Sequence, residues 1–230
     1  MAAAGAKQGL GRGRFITFEG GEGSGKSTQI KILAERLDGT ELRTIVTREP
    51  GGSPGAEIVR HLLLSGIGKL LGPETEALLF AAARDDHVHA LIRPALDHGI
   101  WVLCDRFSDS TRVYQGRLGK VDPGVLNAMQ RVTIGDLKPD LTIILDVPVE
   151  VGMGRAAARR GSGTPDRFEG EAAEFHEGLR DAYRQIAAAE PDRCILIDAN
   201  AAAGMVAARI WTEVCDRCLS FDVSKMVTHA

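Results

Sequence analysis

The sequence predicts an α/β fold, a five-stranded parallel sheet flanked by helices, and three observations carry that prediction. Five short apolar runs recur along the chain: FITFE at 15–19, LRTIVT at 42–47, IWVLCD at 100–105, LTIILDV at 141–147 and CILID at 194–198. None alternates strictly between apolar and polar residues, the pattern expected of strands covered on both faces. Longer stretches of helical periodicity separate the runs, and strands alternating with helices imply right-handed crossovers and parallel pairing. The first run also leads directly into a glycine-rich loop, Gly20-Gly21-Glu22-Gly23-Ser24-Gly25-Lys26-Ser27-Thr28, which opens a helical pattern.

Taken in order, the first helix follows that loop, with Ile30, Leu33, Ala34 and Leu37 at i, i+3, i+4, i+7 spacing. Long helical patterns span Glu74 to Leu96 and Glu171 to Ala189, and Ala201 to Leu219 closes the chain. At 230 residues there is room for one domain, expected over 14–220, with a disordered tail at 1–13 and a C-terminal tail at 221–230. Gly161-Ser162-Gly163-Thr164-Pro165 interrupts two helical segments and reads as a mobile loop within a lid at about 152–169. No repeat or low-complexity linker divides the chain.

Composition narrows the function classes. With 28 basic and 31 acidic residues the net charge is −3, which argues against a nucleic-acid partner, because neutralising many phosphates needs a basic excess. No apolar run reaches the roughly 18 residues of a membrane span. The N-terminus has no continuous apolar core and is not a secretory signal. Cys104 and Cys194 lie in apolar runs and read as buried hydrophobes, while Cys215 and Cys218 read as thiols on a helix face, without a second ligand pair at zinc spacing. The expected location is the cytoplasm.

The loop has the full Gly20-x4-Gly25-Lys26-Ser27 spacing after a strand and before a helix, the context such a motif requires. Glycines let successive backbone N–H groups turn toward phosphate oxygens, and the following helix adds its N-terminal partial charge. Lys26 is expected to reach the terminal phosphates of ATP and Ser27 to ligate Mg²⁺. Asp105 and Arg106 end the run IWVLC, where the tip of a parallel strand faces the ligand crevice. Asp105 is thus a candidate on the Mg²⁺ side, and Arg106 a candidate clamp on the transferring phosphate. Arg155 and Arg159 are i, i+4 neighbours beside the 161–165 loop, with Arg160 and Arg167 close in sequence, and are candidates for bringing charge to the nucleotide. A switch GTPase would carry an N-K-x-D string, which does not occur, and a mechanical ATPase module would want a larger domain. A small-molecule kinase fits the size and the internal arginines.

The ordered set FEGGEGSGKST, TREPGGSPGAEIVR, LLFAAARDDHV, DRFSDSTRVYQG and LDVPVEVGMGRAAARR resembles the thymidylate kinases of bacterial type, from about Phe15 to Asp198. The resemblance implies the nucleoside-monophosphate-kinase version of the P-loop fold, a homodimer, and transfer of the γ-phosphoryl of ATP to dTMP. It implies that Glu49 and Pro50 lie beside the acceptor nucleotide and that Arg60 holds its phosphate with Arg106. It further implies that Phe80 stacks on thymine and Arg84, on the same helix face, hydrogen-bonds the base. Thr111 and Gln115 line the base pocket, Tyr114 lies against the sugar, and Glu22 approaches the 3′-hydroxyl. The loop has Glu22 and Ser24 where one arrangement of the family has a basic residue, so this chain resembles the type whose lid supplies the arginines. Phe107 stands where tyrosine is common. No motif is legible at 117–124, and the six histidines (61, 87, 89, 98, 176 and 229) read as incidental.

Overall fold

The sheet is built as the apolar runs foretell, because each central strand buries all its residues, save the aspartates Asp105 and Asp146 that end two of them. In a computed structural model, which describes residues 12–40, 42–65, 71–161, 168 and 170–219, the strands are β1 (Phe15–Glu19), β2 (Thr44–Arg48), β3 (Trp101–Asp105), β4 (Leu141–Asp146) and β5 (Cys194–Asp198). All pairings are parallel and the order is β2-β3-β1-β4-β5. β1 is wholly buried, whereas β2 and β5, at the edges, leave Val46 and Leu196 exposed. Coverage on both faces is therefore a property of the three inner strands. β2 is shifted from the expected 42–47, starting at Thr44 and including Arg48.

Among the described residues the helices are α1 (Lys26–Asp38), α2 (Pro54–Leu64), α3 (Pro73–His87), α4 (Arg93–Asp97), α5 (Ser108–Thr111), α6 (Pro123–Thr133), α7 (Val149–Arg160), α8 (Ala173–Ala189) and α9 (Ala203–Val214). The expected helix over Glu74 to Leu96 is divided by a wide π turn at Val88–Ile92. Pro94, which has no N–H to give, follows that turn in the first positions of α4. A second π segment, Arg112–Leu118, continues α5. The featureless 117–124 stretch ends in the start of α6: the Asp122 carboxylate accepts from the N–H groups of Gly124 and Val125, and Pro123 occupies the first turn.

Alternation along β1 splits the core. Ile16 and Phe18 pack with Ile30, Leu33 and Leu37 of α1 and Val206, Ile210 and Val214 of α9. Phe15 faces the opposite layer with Val88, Ile92, Leu96 and Phe107. Each fully buried side chain of this size contributes about 1.5–3 kcal/mol. Register sets Phe18 beside Asp105 of β3 and Glu19 beside Ile144 of β4. The loop after β1 therefore emerges between the C-terminal ends of β3 and β4, where open parallel sheets bind ligands.

All four cysteines are unpaired, with Cys104, Cys194 and Cys218 buried. The 162–167 portion of the expected lid, Arg167, His229, most of the N-terminal tail and the whole C-terminal tail lie outside the described residues.

Candidate active site

The loop between β1 and α1 curls because its glycines take backbone angles that other residues rarely adopt. Gly25, the residue before α1, has φ 96°. At Gly23 (φ 64°) a side chain would also collide with the Gly152 carbonyl of α7, so the loop rests directly on that helix. Lys26 folds back along the loop, its Nζ donating to the carbonyls of Gly20 (3.0 Å) and Gly21 (2.9 Å). Burial, and then the nearby Arg106 charge, push its ammonium down to about 8. Ser27 Oγ donates to Asp105 Oδ2 at 2.9 Å, joining the start of α1 to the tip of β3.

Arg106 has φ 70°, a strained angle for a side chain of that size, and its N–H donates to the Phe18 carbonyl. Its guanidinium donates through Nη2 to Glu22 Oε1 at 2.7 Å and through Nη1 to the Gly20 carbonyl at 3.1 Å. The group also lies over the Tyr114 ring, 5.2 Å from its centre. Burial alone would raise the Glu22 carboxyl, but Arg106 and then Lys26 outweigh it and hold it below the ordinary carboxylate range.

Glu19, which sequence reading treated only as the end of a strand, lies behind this pair. Its carboxylate accepts from the Phe107 N–H (2.8 Å), the Ser110 N–H (3.2 Å), Ser110 Oγ (2.7 Å) and the Tyr183 hydroxyl (2.9 Å). Burial, reinforced by Asp109, pushes it up to about 7. The only signal for it in the sequence is an acid ending an apolar strand just before the loop.

The far wall is α3 and the segment after β3. Arg84 Nε donates to Glu49 Oε2 (2.8 Å), Nη1 to Thr111 Oγ1 (3.1 Å) and Nη2 to the Phe107 carbonyl (3.2 Å). The Glu49 N–H donates to the Asp105 carbonyl, tying this wall to β3. Arg60 donates to the Pro50 carbonyl. His87 corrects the reading of all histidines as incidental. It is fully buried, with Nε2 at 2.7 Å from Thr47 Oγ1 and Nδ1 at 3.3 Å from Glu49 Oε1. His176, also buried, lies with Gly20, Gly21 and Glu22 around a small cavity of about 20 Å³ behind the loop.

One cleft of about 450 Å³ joins the two walls. Glu22, Gly23, Ser24, Gly25, Lys26, Ser27 and Thr28 line it from the loop, with Asp105, Arg106 and Arg159. Glu49, Pro50, Arg60, Phe80, Arg84, Thr111, Tyr114 and Gln115 line it from the other side. Gly20 and Gly21 border the small rear cavity instead. Arg155 lines neither: its Nη1 donates to the Ala199 carbonyl beyond β5 at 3.1 Å. The rise of about 6 Å over four helical residues sets it one turn back along α7 from Arg159. Phe168, not anticipated from the sequence, lines the cleft and meets Tyr114 edge-on at 5.0 Å.

The Ser27 hydroxyl and Asp105 carboxylate are oxygen donors that suit Mg²⁺, which commonly takes one or two protein oxygens and keeps its other positions for water and phosphate. Among the described residues no group of three or more His, Cys, Asp or Glu side chains gathers to hold a metal. Among the described residues, too, no helix is long and apolar enough to cross a membrane.

Known proteins match this chain throughout. A family model described as thymidylate kinase matches residues 18–210. A protein named thymidylate kinase from Nitrobacter hamburgensis is 72% identical over 100% of both chains. One from Bradyrhizobium diazoefficiens is 73% identical over 95% of this chain and 96% of its own. The crystal structure of thymidylate kinase from Ehrlichia chaffeensis superposes with a TM-score of 0.71 at 33% identity, covering 88% of this chain and 99% of that one. With its parallel sheet, phosphate loop and these relatives in agreement, the chain belongs to the thymidylate kinase family.

Proposed function

We propose that this chain transfers the γ-phosphoryl group of ATP to dTMP, giving dTDP and ADP. The observation that carries the reading is a cleft in which a phosphate-binding loop faces a wall of aromatic rings, Phe80 and Tyr114 among them, and several buried hydrogen-bonding side chains. The loop suits a nucleoside triphosphate, and the opposite wall suits a nucleobase.

The reaction is an in-line displacement without a covalent intermediate. The acceptor phosphate, with a second pKa of about 6, is already a nucleophile at neutral pH and needs no general base. Catalysis is then positioning and charge neutralisation. Lys26 draws its ammonium from the Gly20 and Gly21 carbonyls to the β- and γ-phosphates. Arg106, at the junction of loop and far wall, holds the acceptor phosphate with Arg60, and Arg159 neutralises charge on the transferring group. Ser27 and Asp105 would hold Mg²⁺, which would supply charge stabilisation on the phosphate oxygens. Phe80 stacks on the base, Arg84, Thr111 and Gln115 read its edge, and Tyr114 and Glu22 meet the sugar, with Glu49 and Pro50 shaping that wall. Arg155, bonded to Ala199, anchors α7 beside β5.

The functional unit is a homodimer. Adjacent helices α2, α3 and α6 expose large apolar side chains, among them Ile58 (75% exposed) and Val132 (80%), which a second copy would cover. The four unpaired cysteines suit the reducing cytoplasm. ADP release, coupled to a dehydrogenase, across a panel of nucleoside monophosphates tests the function. Strong preference for dTMP is expected; equal rates with AMP or CMP would overturn the specificity, and no turnover with any acceptor would overturn the reaction.

A further inference from the structure

Helix α3 carries Glu76, Phe80 and Arg84 at four-residue intervals, so one stripe of the helix presents them a turn apart. Phe80 and Arg84 line the cleft, whereas Glu76 is only 5% exposed. Across the cleft, Thr111 and Gln115 are themselves four residues apart. Arg84 Nη1 donates to Thr111 Oγ1 at 3.1 Å, and Gln115 Nε2 donates to Glu76 Oε1 at 2.8 Å in a buried hydrogen bond. The two walls are thus cross-linked at both ends of the Phe80 platform.

The second cross-link has a chemical consequence. A carboxylate only accepts hydrogen bonds, while an amide has one donating and one accepting end. Glu76 therefore claims the NH₂ end of Gln115. The oxygen, which accepts no hydrogen bond among the described residues, is the end left for a ligand in the cleft. Arg84 can only donate. Read from Arg84 to Gln115, the pocket edge is donor, then acceptor.

We propose that Glu76 is a positioning residue that sets base selectivity by fixing the orientation of the Gln115 amide. The proposal rests on the reading of a pyrimidine nucleotide as acceptor. Donor-then-acceptor complements a base with a carbonyl at C4 and a proton on N3, as in thymine and uracil. Cytosine presents an amino group at C4 and a bare lone pair at N3, so it meets a donor with a donor and an acceptor with an acceptor. Discrimination of that kind is steep because buried polar groups are left unpaired. If Glu76 merely filled a polar gap in the core, its loss would depress all acceptors alike.

Glu76→Gln separates these outcomes. Two amides can pair with Gln115 turned over, which points its NH₂ toward the base. The ratio of kcat/KM for dTMP to that for dCMP, at saturating ATP, is expected to fall at least about tenfold, with KM for ATP unchanged. The swap Glu76→Gln with Gln115→Glu restores an acceptor facing N3 and should return the ratio toward that of the unsubstituted enzyme. An unchanged ratio in Glu76→Gln, with both substrates depressed together, overturns the proposal, as does a swap that rescues nothing. A second measurement needs no substitution: in a crystal of the enzyme with dTMP, Gln115 Nε2 should stay within hydrogen-bonding distance of Glu76 and its oxygen should face N3. A Gln115 swung away from Glu76 would overturn the proposal even if the variants failed to fold. Failure of the unsubstituted enzyme to phosphorylate dTMP would instead overturn the function itself.

Discussion

Arg84 Nη2 and Glu49 Oε2 lie 2.7 Å apart, with side chains only 6% and 5% exposed, so this ion pair is almost wholly removed from water. Removing one partner leaves the other charged and buried, which typically costs about 3–5 kcal/mol. Glu49→Ala should lower the unfolding free energy by about that much in urea titrations and raise KM for dTMP, because Arg84 loses the partner that aims it. His87 braces the same carboxylate from the opposite oxygen. His87→Ala should therefore raise KM for dTMP with a smaller change in kcat. Stability and KM unchanged in Glu49→Ala would mean that the pair holds nothing in place.

Lys26 carries a consequence for nucleotide binding. Burial holds its ammonium at about 8 in the protein alone, and a bound triphosphate would keep it protonated. Binding therefore takes up a proton near pH 8, and affinity falls as pH rises beyond that value, by up to about tenfold per pH unit. Calorimetry at pH 8 in two buffers of different ionisation enthalpy should report the uptake, and Lys26→Met should abolish it while lowering turnover by orders of magnitude. Heats independent of buffer would refute this account.

Glu19 links stability to pH in the opposite sense from an ordinary ion-paired carboxylate. Its carboxyl is held at about 7 in the fold against 4.5 ordinarily, so the folded state keeps a proton that the unfolded state has lost. Its contribution is fully present below 4.5 and is lost as pH rises through about 7, a difference of about 3 kcal/mol. Glu19→Gln cannot ionise and should flatten stability between pH 5 and 8. Urea midpoints across that range check it, and an equally steep decline in the variant would show that other groups cause it.

Sequence reading reached the strands and the loop because both are local: apolar runs of strand length, and a string whose spacing is itself the mechanism. It reached Phe80 and Arg84 only through family resemblance, since an aromatic on an apolar helix face is usually core. Glu19, Glu76 and His87 escaped it for one shared reason. Each is a polar residue buried in the fold, and its meaning comes from a partner far along the chain: Tyr183 for Glu19, Gln115 for Glu76, Thr47 for His87. Arg155 shows the converse limit. Its i, i+4 spacing from Arg159 puts both on one face of α7, yet their side chains reach different places, one the cleft and the other the Ala199 carbonyl.

That divergence yields the sharpest kinetic contrast. Arg159 borders the cleft at the loop, where charge moves during transfer, so Arg159→Ala should lower kcat by roughly 10³-fold while ATP affinity changes little. Arg155 meets a backbone carbonyl, a contact that fixes α7 against the end of β5 rather than touching phosphates. Arg155→Ala should cost kcat less than about tenfold, since Arg155 is an exposed side chain whose contact is a backbone carbonyl outside the cleft. Steady-state kinetics with ATP titrated at saturating dTMP separates the two. Equal losses in kcat would mean that Arg155 leaves Ala199 in the transition state and shares the neutralising work, and a pure rise in KM for ATP in Arg159→Ala would remove Arg159 from the transition state.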